Sequence, residues 1–260
     1  MILFHGDPVF KKSNFNFISL ILLHEHEKLH YYFLQFPCNS YFQLCKKGSY
    51  PVQMTNQTNM AAHSYLALGD SYTIGESVLP SGNFPSQTVQ MLAQLGYNFK
   101  SPEIIAKTGW TTNELQSNIN NHSFTPPYDI VTLLIGVNNQ YRGWPVDTYN
   151  PEFENLLKQS IQFAGGKADH VFVLSIPDWG VTPFAAGRDR DQIAREIDEY
   201  NAANKNISET YKVNYIDITP WTREAAHDLS LVASDGLHPS AKEYKRWSEK
   251  LADKIKAVLL

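Results

Sequence analysis

Cysteine is almost missing from this chain. Its 260 residues hold two, Cys38 and Cys45, both within the first fifth, so the remainder must fold without disulfides. Neither stands in the spacing of a zinc knuckle or a redox motif. Long apolar runs are missing too. The most apolar early stretch, Phe17 to Leu23, is far too short to span a bilayer and runs into His24-Glu25-His26-Glu27. It also makes a poor signal peptide, because no small-residue cleavage site follows. The expectation is a cytoplasmic protein without stable membrane insertion. Excess positive charge is equally lacking: a formal net charge of -4 gives no broad attraction for nucleic acid or anionic lipid. Internal repeats and low-complexity tracts are absent.

What is present belongs to a globular protein with a sizeable core, 43% hydrophobic and 18% charged. Composition changes near residue 60. Residues 1–59 carry five lysines against Asp7, Glu25 and Glu27, with dense aromatics, whereas the negative excess lies downstream. The expectation is an N-terminal extension over 1–59 and the main folded domain over 60–260, beginning near Met60.

From there strand and helix patterns alternate. Tyr65–Leu68, Glu103–Ala106, Ile130–Ile135, Val171–Ile176 and Tyr215–Ile218 are short apolar or β-branched runs, as buried parallel strands are. Helical patterns cover Ser86–Leu95, Thr112–Asn120, Pro151–Phe163 and Asp191–Tyr211. A last helix follows Ser240 and Glu243, which have capping-box spacing. In it Tyr244, Trp247, Leu251, Ile255 and Val258 form one apolar stripe. This order predicts an open, mostly parallel sheet covered by helices on both faces, with ligands bound at the carboxyl ends of the strands.

Chemistry-bearing residues cluster at those ends. The first strand closes in Gly69-Asp70-Ser71-Tyr72, and a serine hydroxyl there is a weak nucleophile until a base takes its proton. Near the end of the chain stands Ser234-Asp235-Gly236-Leu237-His238-Pro239. Here one glycine-containing turn can bring the Asp235 carboxylate to the His238 imidazole and aim the other ring nitrogen at Ser71. The oxyanion of a tetrahedral intermediate needs donors, each worth about 2.7–4 kcal/mol in known enzymes. Thr108-Gly109-Trp110 offers a backbone N–H unobstructed by a side chain, and Gly136-Val137-Asn138-Asn139 offers an amide.

Together these blocks resemble the SGNH or GDSL hydrolase family over residues 64 to about 260. The resemblance implies a flavodoxin-like α/β/α sandwich, three layers around a five-stranded parallel sheet. It also implies hydrolysis of small-molecule esters without metal or organic cofactor. It assigns Ser71 as nucleophile, His238 as base and Asp235 as its orienter, with Ser71 N–H, Gly109 N–H and the Asn138 amide as oxyanion donors. Tyr72 stands where the name-giving motif has leucine, and Asn139 where the family usually has aspartate. The Gly-x-Ser-x-Gly elbow of α/β-hydrolases is absent, since Thr73 fills its last position. Trp110, Tyr141, Arg142, Trp179 and Phe184 fall on strand-end loops and are candidate walls for substrate.

Two rival readings exist. His26-Glu27-Lys28-Leu29-His30 matches the zinc-protease pattern H-E-x-x-H, but nothing downstream continues it at metzincin spacing. A non-catalytic binder of carbohydrate or lipid on the same fold is opposed by the intact serine, histidine and aspartate set.

Overall fold

The computed structural model describes residues 61–259. The His26-Glu27-x-x-His30 motif, both cysteines and the 1–59 extension lie outside the described residues. Each of the five expected strands forms, as β1 (Tyr65–Asp70), β2 (Glu103–Lys107), β3 (Ile130–Leu134), β4 (Val171–Leu174) and β5 (Asn214–Ile216). All neighbours pair in parallel, in the order β2-β1-β3-β4-β5. β1, β3 and β4 are buried along their whole length, which explains their continuous apolar sequences.

The helices are α1 (Ser71–Ile74), α2 (Phe84–Gln94), α3 (Thr112–Asn121), α4 (Val137–Tyr141), α5 (Val146–Phe163), α6 (Arg190–Thr210), α7 (Thr219–Arg223) and α8 (Ala241–Leu259). α2 packs against α8, while α5 packs between α3 and α6, so helices flank the sheet on both sides. Among the described residues no helix is long and apolar enough to cross a membrane. The apolar stripe of α8 enters the core as expected, with Tyr244, Trp247, Leu251 and Ile255 fully buried.

Two local expectations need correction. The Ser240–Glu243 pair is half a capping box: Glu243 N–H lies 3.4 Å from Ser240 Oγ, but nothing returns. Ser240 N–H is already used by the Leu231 carbonyl at 2.8 Å. The Glu243 carboxylate instead accepts from Trp247 Nε1 at 2.8 Å and Arg246 Nη1 at 3.0 Å. The reciprocal box belongs to α3, where Thr111 N–H donates to Glu114 Oε2 at 2.9 Å. α5 begins at Val146 rather than at Pro151, carrying that proline inside the helix. Pro151 lacks one backbone donor, and the buried Tyr149, Phe153, Leu156 and Leu157 hold the helix on the sheet.

Because β1 is flanked by β2 on one side and β3 on the other, the chain changes direction between β1 and β3. The loops leaving these two strands diverge at their carboxyl ends and open a crevice. Ser71 follows β1 and Asn138 follows β3.

Candidate active site

Ser71 is the first residue of α1, whose N-cap is Asp70: the Asp70 Oδ1 atom accepts from Tyr72 N–H at 3.0 Å. A glycine at position 69 is obligatory, since a Cβ there would stand 2.1 Å from Thr73 Oγ1 and 2.4 Å from the Leu134 carbonyl. Asp70 is fully buried, and that burial pushes its pKa up to about 7 against the pull of the Tyr72 N–H and the Asn138 amide.

His238 sits in the loop before α8, 6% exposed, and its Nδ1 meets Asp235 Oδ2 at 2.6 Å. The other oxygen, Oδ1, accepts from Leu237 N–H at 2.9 Å and His238 N–H at 3.0 Å. Burial opposes the Asp235 charge. The hydrogen bonds from His238, Leu237 and Ser77 outweigh it and hold the Asp235 pKa at about 2. With a carboxylate on Nδ1, the tautomer is fixed and Nε2 is left to accept a proton. Gly236 adopts φ +74°, the left-handed conformation that lets this turn close in three residues. Tyr72 packs on the His238 imidazole, with ring centroids 4.9 Å apart.

The oxyanion candidates come from two more loops. Gly109 has φ +84°, a conformation L side chains rarely adopt. Its carbonyl accepts from Arg142 Nη2 at 2.7 Å, and the same guanidinium reaches Glu114 at 3.1 Å. Asn138 Nδ2 donates to the Trp110 carbonyl at 2.9 Å and lies 3.4 Å from Asp70 Oδ2. Gly136, the N-cap of α4, has no room for a side chain, since a Cβ would meet the Tyr149 ring at 2.8 Å.

Ser71, Gly109, Asn138 and His238 line one cleft of about 150 Å³. Among the described residues no hydrogen bond joins Ser71 Oγ to His238 Nε2 in this conformation, a looseness common before substrate binds. Tyr141, Trp179 and Phe184 form its far wall as a triangle of rings with centroids 5.3 to 6.1 Å apart. Trp110 and Arg142 do not line the cleft. Trp110 packs on the core, and Arg142 is occupied by Gly109 and Glu114. Sequence reasoning missed Arg188, whose guanidinium lies over Tyr141 at 5.2 Å and Trp179 at 5.6 Å. It also missed Ser77 on Asp235. No short-range pattern marks either, because both contacts depend on loops that fold back over the sheet.

A profile of the GDSL-like lipase/acylhydrolase family matches residues 67–246, a span that contains every one of these loops. The chain belongs to that family. As a GDSL-like hydrolase it is an enzyme of the ester-hydrolysing kind. A search of curated sequences returned no match. Among solved structures, TesA superposes with a TM-score of 0.59 at 16% identity, covering 75% of this chain and 99% of that one. A lipase/acylhydrolase from Enterococcus faecalis gives 0.58 at 20% identity, covering 75% and 96%. The acetylxylan esterase Axe2 from Geobacillus stearothermophilus gives 0.56 at 19% identity, covering 74% and 94%. At such identities these likenesses speak for the fold.

Proposed function

We propose that this GDSL-like hydrolase is a serine esterase working through an acyl-enzyme on Ser71. The observation that carries the reading is the convergence of Ser71, Gly109, Asn138 and an Asp235-oriented His238 on one cleft. Ser71 Oγ attacks the acyl carbonyl as His238 Nε2 takes its proton. The oxyanion accepts from Ser71 N–H, Gly109 N–H and the Asn138 amide. For that last contact the amide turns from Asp70, its longer and weaker partner. Collapse of the intermediate expels the alcohol, which leaves with the proton from His238. Water then enters, gives its proton to His238, and releases the acid and free Ser71.

Cleft size supports a short acyl group. An engineered apolar cavity of about 150 Å³ in another protein accommodates benzene, roughly six carbons. A cleft of that volume, bounded in part by the rings of Tyr141, Trp179 and Phe184, suits acyl chains of about two to six carbons. Hydrolysis of p-nitrophenyl esters of increasing chain length tests this. Activity should peak at short chains and vanish in Ser71→Ala. An inert wild-type protein, or an active Ser71→Ala variant, overturns the reading.

A further inference from the structure

The turn that follows the nucleophile holds a strained residue against the orienter of the base. Ser77 has φ +63°, one of two described non-glycine residues with positive φ. Side chains pay for such a backbone, and it persists where surrounding contacts demand it. Here the demand is visible. The Ser77 hydroxyl donates to Asp235 Oδ2 at 2.8 Å, across 158 residues of sequence. That is the same oxygen that receives His238 Nδ1.

The turn is tied to the site on two further sides. Gly75 N–H and Glu76 N–H both donate to the Ser71 carbonyl, at 3.1 and 3.0 Å. Glu76 accepts from the hydroxyl of Thr108, the residue before Gly109. One short turn therefore touches the nucleophile's backbone, the oxyanion loop and the base's carboxylate. Asp235 Oδ1 is fixed by its own loop through Leu237 and His238, whereas Oδ2 has Ser77 as its one donor from another loop among the described residues.

From this we infer that Ser77 is a positioning residue: its hydroxyl holds the Asp235 carboxylate, and through it the His238 ring, in register with Ser71. The inference rests on the esterase reading. The alternative role for Ser77, an ordinary exposed turn residue, makes the opposite forecast for glycine. Ser77→Gly removes the hydroxyl while easing the backbone, so a purely structural serine would be replaced without loss.

The test compares full-length wild type, Ser77→Ala and Ser77→Gly with p-nitrophenyl acetate, alongside melting temperatures and the downfield proton resonance of the His238 Nδ1–H bond to Asp235. Expected is a fall in kcat of about fivefold in both variants with KM unchanged, the size of one charged hydrogen bond partly shared with solvent. Ser77→Gly should melt no lower than Ser77→Ala, since both lose the same hydrogen bond and glycine eases the backbone, and the resonance should move in both. A wild-type kcat, an unmoved resonance, a loss of activity carried by KM, or a fall in kcat in Ser77→Ala alone overturns the inference and leaves the esterase reading standing. An inert wild-type protein overturns both.

Discussion

Asn139 grips Thr112 from both ends of its amide: Oδ1 accepts from Thr112 N–H at 3.1 Å, and Nδ2 donates to Thr112 Oγ1 at 2.7 Å. The Thr112 hydroxyl spends its own proton on Glu152. It therefore needs a donor from position 139, which an aspartate carboxylate cannot supply. The amide at this position, where the family usually has aspartate, is thus matched to Glu152.

Asn139→Asp should destabilise the protein by about 1–3 kcal/mol, the cost of leaving a buried polar group badly paired. Asn139→Asp combined with Glu152→Gln, which frees the threonine proton, should regain part of that loss. Chemical denaturation of the single and double variants measures it, and additive losses would contradict the pairing.

Asp70 and Asp235 pull the pH dependence of stability in opposite directions. Asp70 has its folded pKa raised to about 7 from 3.8, so its stabilising contribution is complete below about pH 3.8 and is lost as pH rises through 7. Asp235 has its pKa lowered to about 2, so its contribution is present above about pH 3.8 and is lost as pH falls through 2. Asp70→Asn removes the first effect and keeps an oxygen to cap α1. The variant's unfolding free energy should gain on wild type between pH 5 and 8, by on the order of a few kcal/mol over that range, read as a melting temperature that rises relative to wild type. A constant gap between the two melting curves would contradict the burial argument.

In the proposed esterase the aromatic wall sets acyl length. Phe184 is 43% exposed, and its backbone N–H is tied to the Gly236 carbonyl at 2.9 Å, so removing the ring leaves the loop fastened to the catalytic turn. Phe184→Ala should shift the preferred p-nitrophenyl ester to longer chains. Each methylene newly buried adds about fourfold in kcat/KM, from about 0.8 kcal/mol per CH₂. An unchanged chain-length profile would remove Phe184 from the acyl site.

Much of this architecture was legible in the chain. β1, β3 and β4 are buried on both faces, so their sequences read as unbroken apolar runs. Ser71, Gly109, Asn138 and His238 each follow a different strand, and parallel topology delivers strand ends to one edge. Boundaries were less legible: α5 tolerates Pro151 because its core-facing residues outweigh one lost hydrogen bond. The Ser240–Glu243 spacing misled because Leu231, distant in pattern but adjacent in space, had taken the backbone donor. Ser77 and Arg188 escaped for the same reason, and Trp110 and Arg142 stood on suitable loops yet do not line the cleft, Trp110 packing on the core and Arg142 holding the Gly109 carbonyl and Glu114.

The central claim is that Ser71 carries the acyl group. Treating the full chain with a fluorophosphonate ester and locating the adduct by peptide mass spectrometry tests it most directly. One covalent adduct is expected, on Ser71, abolished in Ser71→Ala and strongly slowed in His238→Ala. Hydrolytic activity that survives with Ser71 unlabelled, or an adduct on another residue, would contradict it.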